Sequence, residues 1–365
     1  MLLPVYAAFA AALVFYLIVP IAGAFALRGQ WRRFRQGVAR LGITARLRYR
    51  DLADAEREGR TRVGRFRLQG TIEAIEGTDK VWVRGKDVSA LVDLSRAPLY
   101  VLAPGAAESP PDAGSVERLN WRSVSSLVEG TSILVAGLLV LDGGRPVFVD
   151  ASEEPLVAVC HDGGEERLLS RLIAGGRAPN EYWNYPARIS MALGLAAISV
   201  ILLLFRASTF STLRALMFLA GLSPVLPFAP PGLALFLFYH RLWRRALASR
   251  IARDLLRLPR LYSENGGTGT YLRRKLEKGE RPPEDATWIR MPGRDGGEPE
   301  ELTLFVPQSP EDPLAELFMV GGDPEAQALK AERNAFFYTA ASGFSLGLAF
   351  VINFALAFLL WRAAL

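Results

Sequence analysis

Leu2–Arg35 reads LLPVYAAFAAALVFYLIVPIAGAFALRGQWRRFR. Its first 26 residues, through Leu27, carry no charge, and four arginines fall in the next eight positions. A helix crosses the hydrocarbon core of a bilayer in roughly 20 apolar residues. A run of that length that stops against arginine reads as a membrane span with its cytoplasmic flank marked. It makes a poor secretory signal, because no positive residue precedes it and it outruns the usual apolar core of a signal, although the small residues Ala22, Gly23 and Ala24 imitate a cleavage site. The expectation is a retained anchor.

Three further uncharged runs follow: Ile189–Phe205, Ala215–Tyr239 and Asn334–Trp361. The charges, 22% of the 365 residues, are swept out of these runs into two polar blocks. A single soluble core would not need that segregation. The expected fold is an α+β membrane protein with four transmembrane helices, over 1–27, 187–206, a proline-broken 210–239, and 334–361. Between them lie a β-rich cytoplasmic domain over 28–186 and a smaller α+β cytoplasmic domain over 240–333.

The surplus of positive charge, +6 net, sits mostly just after apolar runs. Arg28 to Arg50 hold eight arginines after the first run, and Arg241 to Arg260 hold seven after the third. Both clusters mark a cytoplasmic side, as in a multi-pass bacterial inner membrane, and the two intervening runs give the parity this requires. Arg206 and Arg214, in the short outer loop, count against it. Arg32, Arg33, Arg35, Arg241, Arg244 and Arg245 are the expected contacts for anionic lipid head groups. Nucleic acid is a poorer partner for this charge, since no recognition motif accompanies it.

The third run contains Pro224, Pro227, Pro230, Pro231 and Gly232. Proline removes a donor and clashes with the preceding turn, so one straight helix is not expected there. Either the helix turns sharply, or Phe210–Leu222 is a short outer or re-entrant segment. In the fourth run Gly343 and Gly347 stand four apart, one turn after Thr339, which allows close helix packing within the bundle or at a homo-oligomer seam. Asn353 on the same run is expected to bond a neighbouring helix.

In the first block Trp31–Ala55 reads as a basic helix continuing from the membrane. Arg65–Ile75 alternates apolar and polar residues and reads as a strand. Lys80–Val83, Leu99–Leu102, Ser132–Leu141 and Pro146–Asp150 are further strands, the last two joined by the turn Asp142–Arg145. Gly105–Gly114 reads as a loop. Short strands, with a glycine near the middle of the long ones, point to a small OB-like barrel. In the second block, Leu242–Leu258 and Asp323–Glu332 read as helices and Leu302–Val306 as a strand. The blocks end alike: Glu154–Pro155–Leu156 matches Asp312–Pro313–Leu314, and at equal spacing Gly163–Gly164–Glu165 matches Gly321–Gly322–Asp323. The alternatives are an internal repeat of span, domain and span, or coincidence in a chain rich in Gly and Pro.

Gly70–Ile75, GTIEAI, and Leu127–Phe148, LVEGTSILVAGLLVLDGGRPVF, together resemble the membrane-embedded GIDE-type family, which includes a mitochondrial ubiquitin ligase. The order of span, β-rich domain, short helix and span is similar, and the resemblance covers under half of the chain. It implies a β-rich domain held between two helices. The family's chemistry resides in a zinc-bound RING of Cys and His, and this chain has only Cys160, His161 and His240. The ligase activity is therefore not carried over.

Other chemistry is sparse. With one cysteine there is no intrachain disulfide. Cys160 and His161 are neighbours, but adjacent residues on a strand face opposite ways. Asn265–Tyr271, NGGTGTY, lacks the GK and Ser or Thr of a phosphate-binding loop. No catalytic, cofactor or metal site is legible. The expected function is a binding or scaffold module at the membrane surface, with lipid and a protein as partners. The alternatives are a transporter or transport-accessory protein, with its site at the broken run, or a membrane enzyme of unrecognised site.

Overall fold

The computed structural model describes residues 3–103, 116–119, 128–162, 167–177, 184–204, 211–264, 271–276, 280, 283, 286–289, 302–307, 314 and 316–363. The Gly105–Gly114 loop, residues 265–270 of the glycine-rich stretch, Gly163–Glu165 and Asp312–Pro313 lie outside the described residues. In chain order the first half holds α1 (Leu3–Leu13), a π-helical turn (Val14–Ile18), α2 (Val19–Leu41), α3 (Tyr49–Arg57), β1 (Arg62–Glu76), β2 (Lys80–Arg84), β3 (Ser89–Asp93), β4 (Leu99–Leu102), β5 (Val116–Leu119), β6 (Ser132–Asp142), β7 (Arg145–Val149), β8 (Val157–His161), α4 (Leu168–Gly175) and α5 (Tyr185–Leu204). The second half holds α6 (Ser211–Leu222), a 3-10 turn (Leu226–Phe228), α7 (Gly232–Glu264), β9 (Tyr271–Lys275), β10 (Thr287–Ile289), β11 (Leu302–Pro307), β12 (Phe318–Gly321) and α8 (Pro324–Ala363).

The chain divides into two compact units. The first comprises Met1–Trp31, Ala178–Arg250 and Ala331–Leu365. Among the described residues, three helical stretches are long and apolar enough to cross a membrane: Val5–Leu41, Tyr185–Leu204 and Pro324–Leu360. The expected span over 210–239 is not one helix: its prolines divide it into α6, the 3-10 turn and the start of α7. Breaking a helix frees backbone groups that lipid cannot satisfy. Asn353 of α8 satisfies them here. Its Nδ2 donates to the carbonyls of Leu226 (2.6 Å) and Ala229 (2.7 Å), and its Oδ1 accepts from the N–H of Gly232 (3.1 Å). The irregular turn in the first helix is met the same way. Ser190 donates to the Phe15 carbonyl (2.6 Å) and Asn184 Nδ2 to the Pro20 carbonyl (3.2 Å). The expected hydrogen bond from Asn353 is thus present, and Asn184 and Ser190 play the same part for the first apolar helix.

The second unit comprises Arg32–Arg177 and Ile251–Lys330, so both polar blocks contribute to one compact body. Strands β1, β2 and β3 form an antiparallel meander, β3 runs parallel to β7, β7 pairs β6, and β6 returns to β1. These five strands close a ring. Its interior is apolar: Ile72, Val81, Val92, Leu139 and Phe148 are each nearly fully buried. β1 serves both β6 and β2, and bends to do so. A Cβ on Gly70 would stand 2.0 Å from the Arg84 carbonyl oxygen, so only glycine fits where β1 passes β2. β8, β4 and β5 extend the sheet from β6, to eight strands. The end of α2 covers that extension: Phe34 packs on Tyr100 with ring centroids 4.2 Å apart, and Gly37 lies against Val157. The basic helix expected over Trp31–Ala55 is two helices. Between them the Thr44 hydroxyl turns back to the Arg40 carbonyl and buried Arg67 donates to the Thr44 carbonyl, both at 2.7 Å.

The second sheet has the order β10-β12-β11-β9. β9 and β11 are antiparallel, β11 and β12 antiparallel, and β12 and β10 parallel. The first sheet contains the path β1-β6-β8-β4, with β1–β6 antiparallel, β6–β8 antiparallel and β8–β4 parallel. Counted along the chain, both paths run first, third, fourth, second, with the same directions at every pairing.

Candidate functional site

α7 leaves the apolar run through Phe236, Tyr239 and Trp243, then meets Arg241, Arg244 and Arg245, all exposed. Aromatic rings of this kind favour the level where a membrane meets water. Tyr239 stacks near Trp243 (6.3 Å), and Arg250 lies 5.4 Å over the Trp243 ring while donating to the Thr339 hydroxyl (2.9 Å). Arg32 and Arg33 on α2 are likewise exposed. Five of the six lipid-surface candidates thus point outward. Arg35 does not: its side chain is 14% exposed, its Nη1 donates to the Gly176 carbonyl (2.8 Å), and its Nε stands 3.8 Å from Asp254. The helix turns Arg35 inward, on the face shared with buried Phe34 and Val38, and a partner carboxylate holds it there.

Sequence reasoning missed that partner and its other ligands. Asp254 accepts from Arg177 through Nε (2.9 Å) and Nη2, and from Arg253 through Nε (3.1 Å) and Nη2 (2.9 Å). The signal was present: Asp254 is the one acidic residue between His240 and Tyr262. A second missed group is Glu316. It is buried, accepts the N–H (3.0 Å) and the hydroxyl of Ser170, and so caps the start of α4 with a carboxylate from the second block. Burial drives its pKa up, against the Ser170 hydrogen bonds that lower it.

The outer face of the five-strand ring carries a cleft of about 340 Å³. Leu91, Val140, Val147 and Val149 form its floor, and Arg62, Lys80, Asp93 and Asp142 stand around it. The charges alternate because neighbours in register are opposite: Lys80 faces Asp93 and Asp142 faces Arg145 across their strand pairs. Such a surface can hold an apolar chain between polar groups of both signs. Cys160 and His161 are not part of it. Cys160 lies in the core, its thiol pushed up to about 12 by burial, and stays protonated near neutral pH. Among the described residues, no three His, Cys, Asp or Glu side chains gather as metal ligands would.

Gly343 and Gly347 are exposed, and a Cβ on either would meet no atom within 4 Å. The seam α8 presents to its own chain lies on the opposite face, through Ala335, Ser342, Ser345, Ala349 and Asn353. There Ser345 donates to the Leu235 carbonyl at 2.8 Å. Comparison with known proteins finds no matching family model, no matching curated protein and no matching solved structure.

Proposed function

We propose that this chain is a multi-pass membrane protein that works as a binding module, presenting an OB-like barrel at the cytoplasmic surface. The observation that carries this reading is the barrel cleft, an apolar floor among charges of both signs. In the OB-fold the equivalent face, beside the loops after the first and fourth strands, is a ligand-binding face. The strand connections of the five-strand ring support that assignment, and so does the β-rich domain between helices that the GIDE resemblance implies.

The proposed topology has four crossings. Arg177 precedes α5 and Asp254 follows the proline-broken run, yet the two side chains share hydrogen bonds. The chain between them must return to the side it left. If α5 crosses once, α6 and the start of α7 together supply the return. The exposed arginines Arg32, Arg33, Arg241, Arg244 and Arg245 favour the cytoplasm for that side and anionic lipid as their partner. We further propose that the two blocks are copies of one unit, on the strength of the shared strand path and the matched EPL/DPL and GGE/GGD segments.

The test is site-specific photocrosslinking in intact membranes. A crosslinker at Val149, in the cleft, should capture one discrete protein, and Leu91→Lys should abolish the adduct without lowering expression. Absence of any adduct at Val149, in a protein whose cleft variants fold, would remove the binding reading.

A further inference from the structure

On β1, the Nε and Nη2 of Arg65 are closed off from water and meet no hydrogen-bond partner. A buried donor left unmet is costly, and more so when it is charged. Burial lowers the Arg65 pKa, the Arg40 charge lowers it further, and Glu154 opposes both. Glu154 does not neutralise the place. Its Oε1 stands 3.8 Å from Arg62, and its Oε2 is buried without a partner. Beyond that Arg62–Glu154 pair, no side-chain partner joins any of these four residues among the described residues. Three positive charges thus meet one negative.

The register sets this excess at one end of the barrel cleft. Arg65 faces Leu138 across β1 and β6, and Leu138 faces Val149 across β6 and β7. Directly opposed residues share a face of the sheet. One row along, Arg62 faces Val140, which faces Val147. From β1 to β3 the cleft therefore runs from a positive end over Val140 and Val149 to Leu91. That is three strand spacings, about 14 Å. An extended chain sends a side chain to one face about every 7 Å, so its positions i, i+2 and i+4 cover the same span. Asp93 and Asp142 also border the cleft, and they would repel the continuous phosphate backbone of a nucleic acid. A single acidic side chain placed toward Arg65 avoids both, since Asp142 lies two residues beyond Val140 on β6, on the side away from Leu138.

We propose that the cleft binds an extended peptide segment of a partner protein, with an acidic side chain at Arg62 and Arg65 and apolar side chains two and four residues along it, over Val140 and Val149 and then over Leu91. The inference rests on the reading of the cleft as a binding surface and adds the chemistry of its occupant. Exposed Arg62 makes the direct contact, and Arg65 and Arg40 keep the local potential positive.

The experiment measures fluorescence anisotropy of labelled peptides with the purified full-length chain in neutral detergent. The peptides are Glu-Ser-Val-Ser-Leu, its Gln-Ser-Val-Ser-Leu counterpart, and Glu-Ser-Ser-Ser-Ser. The first should bind best, the second about tenfold more weakly through loss of one charge-assisted pair, and the third more weakly than the first. Arg62→Gln should remove most of the preference for Glu over Gln. Glu154→Gln should tighten the Glu peptide alone, because a competing carboxylate is gone, and Lys80→Gln should leave the preference intact. Equal affinity for the Glu and Gln peptides, or a preference undiminished in folded Arg62→Gln, would overturn the acidic contact. Failure of all three peptides to bind, or tighter binding of a single-stranded oligonucleotide, would overturn the peptide as occupant. A crosslinked adduct at Val149 alongside any of these failures leaves the cleft a binding surface and removes only the acidic peptide, whereas loss of the adduct as well removes both.

Discussion

The two sheets share a strand path and part company at its ends. In the first, the path β1-β6-β8-β4 is extended on both flanks, β2, β3 and β7 closing a ring and β5 pairing with β4. In the second, β9 and β10 are the outermost strands among the described residues. Closing a ring removes edges and creates an inside. Among the described residues, one core cluster of the first sheet gathers eighteen buried residues, whereas a cluster on one face of the second gathers Ala286, Leu304 and Met319, and Phe305, Phe318 and Val320 are buried from its other face. A sheet of four short strands left open needs another surface to cover its apolar face. One tie to the first block is the Glu316 carboxylate, which accepts the N–H and hydroxyl of Ser170 at the start of α4. The same connectivity is thus closed into a ring in one place and left open, among the described residues, in the other.

The largest effect should come from emptying the ring. Phe148→Ala removes a fully buried ring from its centre and should cost about 3–5 kcal/mol, measured by denaturant unfolding of the full chain. Phe318, equally buried in the second sheet, gives the counterpart. If the second sheet depends on the first, Phe318→Ala should leave hydrogen-exchange protection of β1 and β6 unchanged, while Phe148→Ala should lower protection in both sheets. Protection lost in β1 and β6 with Phe318→Ala would break the asymmetry.

A somewhat smaller loss is expected at Gly70. Alanine there collides with the Arg84 carbonyl and must push β1 off β2, costing about 1–3 kcal/mol. The damage should stay within the ring, and the β1–β2 amides should exchange first. Full protection of those amides in Gly70→Ala would mean that the strands can part without cost.

The link between the sheets should show in pH dependence. Burial raises the pKa of Glu316 above its unfolded value, so the folded state holds a proton that the unfolded state releases first. Stability from this group is then greatest below the unfolded pKa and declines as pH rises toward the raised folded value. In Glu316→Gln that decline should vanish. The stability of wild type minus variant should therefore fall with rising pH above about 4.5. A difference that is flat with pH, or that grows, would contradict the assignment. Cys160→Ser, in the core of the first sheet, should cost about 1–3 kcal/mol through a buried hydroxyl without a designed partner, and this loss should not vary between pH 5 and 8.

How much of this was legible depended on length and on partners. Long periodic segments read correctly: β1 as Arg65–Ile75, β6 as Ser132–Leu141 and the three long apolar helices. β3, SALVD, and β9, YLRRK, did not, because neither alternates: the first is buried at three positions in a row and the second only at Tyr271. The break before Thr44 has a local signal in Gly42, directly after the end of α2, and a tertiary part that sequence does not show, the bond from Arg67 of β1 to the Thr44 carbonyl. The same holds for the inward turn of Arg35. A sequence shows a run of arginines, but only the fold shows which of them meets Asp254. The buried polar groups Glu316 and Asn184 were invisible for that reason, whereas Asn353 was legible because an amide inside an apolar helix has few other uses.

The smallest expected effect concerns the fourth apolar run, where two faces of one helix can be compared. On the inward face Ser345 and Asn353 bond α7, and Ala349 is fully buried. Ala349→Leu should therefore overpack and cost about 1–3 kcal/mol. On the outward face a Cβ at Gly343 or Gly347 meets nothing within the chain. Replacing both by alanine should be neutral or stabilise the helix by up to about 1 kcal/mol for each glycine, since alanine loses less backbone freedom on folding. That holds if lipid covers this face. If a second copy of the chain covers it, the two methyl groups would separate the helices and weaken self-association. Measuring self-association by fluorescence transfer between labelled chains in vesicles separates the cases. Unchanged transfer together with unchanged or raised thermal stability fits a lipid-facing stripe. A fall in transfer with Gly343→Ala and Gly347→Ala would reassign the stripe to a seam between copies.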